Sequence, residues 1–309
     1  MTRLLPRILI WLGVMAALTL IALLVWMAVL GNDQSTEGLK WLQFLQSVGT
    51  FLLPPLVCAC MWDERHNPLA WLKLNRGASW QTFLLAVVIM LCAIPGINLL
   101  ADLNSRIALP ESLDSIEQFL KEMEANAAAL TERFLQTDSF GGLLLNLGLM
   151  ALIPAMAEEF SVRGTLQQIL SNSESGLTGT AGLTSNSRRR SAIAVWLTAI
   201  LFSAIHMQFY GFIPRMLMGA MFGYVFVWTG CLWVPVLMHF TNNAMAVIAY
   251  YLTSGSEVPL PTNIADTIGA GDTGWLGVLS LITVGVLLWL LRRITSPGQP
   301  EYDRRTHIQ

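Results

Sequence analysis

The chain has 309 residues, of which 54% are hydrophobic and 12% charged, and its formal net charge is −2. Soluble globular domains carry about 25% charged residues, so this composition excludes a soluble enzyme and points to an integral membrane protein. The near-neutral balance, with no basic stripe, argues against a nucleic-acid partner.

Eight apolar stretches of about 20 residues are long enough to cross a bilayer. They lie near 7–30, 41–62, 81–103, 141–170, 192–210, 212–229, 231–252 and 273–291. The expected fold class is therefore all-α, a polytopic transmembrane helical bundle of about eight spans. The first stretch follows Arg3 and Arg7. It is longer than a signal-peptide core and no small-residue cleavage site follows, so it reads as a retained anchor. Lysine and arginine set orientation. With both termini cytoplasmic, the inner segments hold 12 basic residues, among them Lys73, Arg76, Arg188, Arg189, Arg190, Arg292 and Arg293, and the outer segments hold 5.

The outer connection 111–136 repeats apolar residues at spacings of three and four, with six acids and two bases on its other face. That is an amphipathic helix, read as a packed connector in preference to a lid. Residues 171–190 are rich in Ser, Gly, Thr and Asn and read as a flexible cytoplasmic linker. Three parts follow: N-terminal helices plus the outer helix (1–140), a central helical core (141–252), and a last loop, final span and cytoplasmic tail (253–309). Cys58, Cys60, Cys92 and Cys231 lie in apolar stretches without metal-site spacing and read as small buried hydrophobes.

Polar residues inside spans are expensive and mark function. The fourth span holds Asn146, Glu158, Glu159 and Arg163, the fifth His206, and the seventh His239, Asn242 and Asn243. Glu159 and Arg163 are four apart in the favourable acid-first order and can pair. Glu158 points about 100° away. Pro154, four residues before Glu158, can kink the helix. Phe202 and His206 share a face, as do His239 and Asn243. At about 1.5 Å per residue, Glu158, His206, His239 and Asn243 can meet at one depth. A carboxylate in an apolar pocket can act as general base. A histidine beside it can help hold a water, and a second histidine with an amide can donate to an oxyanion. No serine or cysteine stands in a motif position beside a histidine, which disfavours a covalent nucleophile. Arg215 reads as an interfacial anchor, and Gly219 and Gly223 as a close-packing pair.

These residues resemble a known set. "EEFSVRG" (158–164), "FSAIH" (202–206) and "HFTNN" (239–243) match, in order, the E-E-x-x-x-R, F-x-x-x-H and H-x-x-x-N motifs of the CAAX prenyl protease and bacteriocin-processing (CPBP) family of intramembrane proteases. The resemblance covers roughly 140–250. It implies an intramembrane endopeptidase acting on a membrane-associated peptide or protein, in a multi-pass protein of the bacterial inner membrane. Glu158 and His206 would activate the water, and His239 and Asn243 would bind the oxyanion. Glu159 and Arg163 would orient the first carboxylate and brace the helix. Many members carry an aromatic residue where this chain has Val162.

The family has been described both as zinc-dependent and as glutamate-type. Glu158, His206 and His239 could ligate zinc with an open fourth position. There is no H-E-x-x-H, however, and an asparagine paired with His239 suits oxyanion binding better. No cofactor is favoured, with zinc as the alternative. A proton-coupled transporter uses similar buried residues, but the matching interrupted spans expected of inverted repeats are not seen. A non-catalytic membrane scaffold is the third reading. The peptide bond is expected to enter from lipid or from the cytoplasmic side.

Overall fold

A computed structural model describes residues 4–31, 33–62, 67–171, 185–254 and 268–295. Most of the expected linker, the loop 255–267, the C-terminal tail, and Arg3 and Arg65 lie outside the described residues. Within them the protein is an all-α polytopic membrane bundle with no β-strand. We number its main helices α1 (Leu4–Leu30), α2 (Thr36–Trp62), α3 (Trp80–Ser105), α4 (Asp114–Leu135), α5 (Phe140–Ser171), α6 (Ser185–Ile205), α7 (Phe212–Thr229), α8 (Trp233–Ser254) and α9 (Gly274–Thr295). By length and composition α1, α2, α3, α5, α7 and α9 are apolar enough to cross a membrane. The other two expected spans correspond to helices α6 and α8, 21 and 22 residues long, which are not among those six. Their polar content sets them apart: α6 opens on "SNSRRR" and α8 carries "HFTNN".

One boundary differs from the sequence expectation. The fifth stretch was expected to run to residue 210, but α6 stops at Ile205 and His206 begins the connection to α7. The ending has a local cause. The His206 ring Nδ1 lies 2.7 Å from the Phe202 carbonyl and caps it. Met207 then takes a left-handed conformation at φ 54°, which a continuing helix does not allow.

The helices place two ends of the bundle apart. At one end the one-turn helix Pro68–Trp71 and the residues after it meet the α7–α8 connection. The Trp233 indole donates to the Leu74 carbonyl at 2.9 Å, and the Gln168 amide donates to the Trp71 carbonyl at 3.1 Å. Arg292 at the end of α9 lies over the Trp228 ring. The other end holds the α3 terminus, α4, the start of α5 and the α6–α7 connection. There the buried Asn146 amide donates to the Leu135 carbonyl at 3.0 Å, fastening α5 to α4. Asn146 is thus a fastening residue, away from the chemistry.

Two helices widen into π-helical turns just before a proline. In α2 the turn is Ser47–Leu52, ahead of Pro54 and Pro55; in α5 it is Leu147–Leu152, ahead of Pro154. A proline ring clashes with the carbonyl four residues earlier and offers no N–H. A locally widened helix absorbs both defects, so the kink expected at Pro154 takes this form. A second π turn in α5 spans Val162–Gln167, leaving Glu158 and Glu159 on the short α-helical stretch between two widened turns. Such turns are frequent at functional sites.

Candidate active site

The carboxylates of α5 have different surroundings. Glu159 is fully buried. Its Oε1 accepts from Arg163 Nη1 at 2.7 Å and lies 2.9 Å from His239 Nδ1. The expected Glu159–Arg163 pair is therefore present, but Glu159 reaches the second histidine as well, which spacing along one helix cannot reveal. Glu158 faces the other way with its side chain 22% exposed, and its Oε2 lies 3.7 Å from His239 Nε2. His239 thus stands between the two carboxylates, one at each ring nitrogen.

Arg163 has no exposed surface, so its charge must be met within the protein. Besides Glu159, it donates through Nη2 to the Gly219 carbonyl at 2.9 Å. Its guanidinium lies 5.0 Å from the Phe202 ring centre and 5.5 Å from that of Phe222, within cation–π range. Phe222 also stacks on the His239 ring at 5.6 Å, and Phe202 meets the His206 ring edge-on at 4.8 Å. The aromatic partner expected for His206 is therefore shared with Arg163 and, at 6.1 Å, with His239.

Gly219 and Gly223 let α7 come this close. A Cβ at Gly223 would sit 2.8 Å from Gln167 Oε1 and 3.0 Å from Val195; one at Gly219 would meet Ala199 and Arg163 Nη2 at 3.3 Å. Both glycines serve packing, as their spacing suggested, and the Gly219 carbonyl is in addition a ligand of the buried arginine.

Hydrogen bonds fix the histidine tautomers. A carbonyl can only accept, so His206 Nδ1 carries the proton and Nε2 is left as an acceptor. An ionised Glu159 likewise only accepts, so His239 Nδ1–H donates to it. His206 lies within electrostatic reach of Glu158 and His239. On α8, Asn242 donates its amide to Asn243 Oδ1 at 3.2 Å. That turns the Asn243 amide so that Nδ2 remains to donate elsewhere. Asn242, which does not share the His239 face, thereby holds the Asn243 amide.

The connection 206–211 is held from outside the core segment. Asn104, 2% exposed at the end of α3, donates to the Phe209 carbonyl at 2.9 Å and accepts from the Ile213 N–H at 3.0 Å. From α4, Glu124 accepts the Tyr210 N–H at 3.0 Å and Glu117 the Tyr210 hydroxyl at 3.3 Å. Arg215 turns back onto this connection through Gln208 and packs against Gly211, so it is a strut of the loop where an interfacial anchor was expected. None of these contacts carries a sequence motif.

Among the described residues no three His, Cys, Asp or Glu side chains are gathered as a metal-ligand set. His206 and His239 each commit Nδ1 to a protein partner. Their Nε2 atoms and the Glu158 carboxylate are the donors that would hold a zinc, and no step below runs through one.

A family model described as "Type II CAAX prenyl endopeptidase Rce1-like" matches residues 140–245. That is about a third of the chain, and it includes all the polar groups of α5, α6 and α8 described above. No curated protein and no solved structure matches.

Proposed function

We propose that this chain, whose residues 140–245 match the Rce1-like type II CAAX prenyl endopeptidase model, is an intramembrane protease that hydrolyses a peptide bond of a membrane-associated polypeptide with a water activated by Glu158 and His206. The observation that carries the reading is that three separate segments meet: Glu158 of α5 lies within 3.7 Å of His239 of α8, and Phe202 packs against both His239 and the His206 ring of the α6–α7 connection, at 6.1 and 4.8 Å.

The Glu158 carboxylate and His206 Nε2 are two acceptors for the two protons of one water. Glu158 takes a proton as the water oxygen attacks the carbonyl carbon, and returns it to the amine as the C–N bond breaks. The developing oxyanion receives hydrogen bonds from Asn243 Nδ2 and from His239 Nε2. For His239 to donate there it must carry a proton on both nitrogens. A doubly protonated imidazole there would meet a carboxylate at each ring nitrogen, Glu159 at Nδ1 and Glu158 at Nε2. Glu159 holds the imidazolium through Nδ1, the role of the aspartate in a catalytic triad. Its partner Arg163 keeps that carboxylate in place, so the pair acts on the second histidine and leaves Glu158 free. The bilayer is proposed to be a bacterial inner membrane, on the family's bacterial members.

The test is cleavage of a quenched peptide library by the full chain in proteoliposomes. Glu158→Gln and His206→Ala are each expected to lose activity by several orders of magnitude, since the groups act as a unit. Cleavage by the unaltered protein is expected to persist in a strong chelator. Full activity in either variant removes the assignment; loss of activity with chelator returns the chemistry to zinc.

A further inference from the structure

The two ends of the bundle differ in charge and in how they close the site. One end carries Lys73, Arg76, the triplet Arg188, Arg189 and Arg190, and Arg292 and Arg293; among the described residues it carries no carboxylate. Clusters of lysine and arginine beside spans stay in the cytoplasm. The opposite end carries Glu111, Asp114, Glu117, Glu122, Glu124 and Glu132 of the α4 region, and its lysine and arginine are few. Two of those, Arg106 and Lys121, are neutralised in salt bridges to Asp102 and Glu117 at 2.6 and 2.7 Å.

The site is sealed toward the arginine-rich end. Between Glu159 and the α7–α8 connection lies a packed layer of Leu72, Phe160, Phe226, Leu232 and Val236, each no more than 6% exposed. Glu159 and Arg163 above it are themselves fully buried. Toward the acidic end closure is slighter. Glu158 keeps a partly exposed side chain. His206 belongs to the connection at that end, and Met207 beside it is 50% exposed. Among the described residues that side is covered by α4, joined to the connection by the polar contacts of Glu117 and Glu124 with Tyr210. Several of its apolar residues, Ile116 and Phe119 among them, are about half exposed, as suits a helix lying at a membrane surface.

We infer that the catalytic site is served from the non-cytoplasmic side, through the margin between α4 and the 206–211 connection, and that its substrates are extracytoplasmic segments of membrane-anchored polypeptides. This rests on the protease reading for the chemistry but not for the direction. It departs from the cytoplasmic entry, one of the two routes expected from the sequence, because the layer under Glu159 blocks that route.

The full chain is expressed in a bacterial host as Asn126→Cys, on the exposed face of α4, and as Asn186→Cys, at the start of α6. Intact cells are treated with a membrane-impermeant maleimide. Asn126→Cys is expected to label in intact cells, and Asn186→Cys only after permeabilisation; the reverse pattern overturns the inference. Right-side-out and inverted vesicles are then given a charged, impermeant quenched peptide, with Glu158→Gln as blank. Cleavage from the outside of right-side-out vesicles supports the inference. Cleavage confined to inverted vesicles overturns it even where labelling agrees, since the mouth would then lie at the other end. Absence of cleavage in both, and in detergent, counts against the protease reading alone, and the labelling still decides the direction.

Discussion

Arg163→Ala tests the buried centre most directly. The substitution removes the donor to Glu159 at 2.7 Å and the donor to the Gly219 carbonyl at 2.9 Å. It also removes a cation held between the Phe202 and Phe222 rings. Breaking one side of a fully buried ion pair costs about 3–5 kcal/mol. The Gly219 carbonyl keeps its helical partner, the Gly223 N–H, so loss of the second hydrogen bond adds about 1 kcal/mol. The effects are not additive, but about 4 kcal/mol is a large share of the roughly 5–15 kcal/mol that holds a domain folded. The assay is yield and thermal unfolding in a mild detergent, beside peptide cleavage. Arg163→Ala should express poorly, unfold at lower temperature and be inactive. The double variant Glu159→Gln/Arg163→Met removes both charges together and should regain much of the lost stability. It should not regain activity, because His239 Nδ1 would then face an amide in place of a carboxylate. Unfolding of Arg163→Ala at the temperature of the unaltered protein would refute the pairing as a stabilising element. Full cleavage by the double variant would refute the role of Glu159 toward His239.

Asn242→Ala leaves Asn243 free to turn its amide, so kcat should fall while the unfolding temperature stays near that of the unaltered protein; equal kcat would separate Asn242 from the site. Asn104→Ala leaves the Ile213 N–H unpaired, while the Phe209 carbonyl keeps the Phe212 N–H; the loss is about 1–3 kcal/mol if that group stays dry, and the 206–211 connection should loosen in hydrogen exchange. Gly223→Ala forces a Cβ against Gln167 and Val195 and should destabilise by about 1–3 kcal/mol through overpacking, measurable as a lower unfolding temperature. The hydrogen bond from Lys121, and after it the Leu109 N–H, hold the Glu117 carboxyl below its ordinary 4.5. Its contribution to docking α4 is therefore complete above that value and is lost as the pH falls through the depressed one. Hydrogen exchange over 114–135 should accelerate in that acid range and not between pH 6 and 8.

Much of the bundle could be read from apolar run lengths, because a bilayer imposes a length on every crossing element. The Glu159–Arg163 pair was legible for a similar reason, since partners four apart on one helix are neighbours by geometry. The Glu159–His239 contact was not. It joins residues 80 positions apart, and only the packing of α5 against α8 brings them together. Asn104 escaped notice because an asparagine at a helix end is ordinary in sequence; its importance lies in which backbone it meets. His206 was placed inside a span because "FSAIH" runs on without a break signal, whereas the helix ends there through the histidine's own hydrogen bond to Phe202. Pro154 and Pro54 did announce an irregularity, though not that it would be a widening of the helix.

That widening has a consequence for residue counting. A π turn accommodates one residue more than the α-helical pattern needs, so the angular position of everything beyond it depends on that residue being there. Deleting one residue between Leu147 and Leu152, with α-helix restored across the gap, would turn the upstream half of α5 by about 100° relative to Glu158 and Glu159. Either Asn146 would leave Leu135 or the two carboxylates would leave His239. The outer half of α5 therefore cannot be exchanged for an ordinary helix of matching hydrophobicity: the phase between its anchor and its chemistry is written in the number of residues, not in their identity.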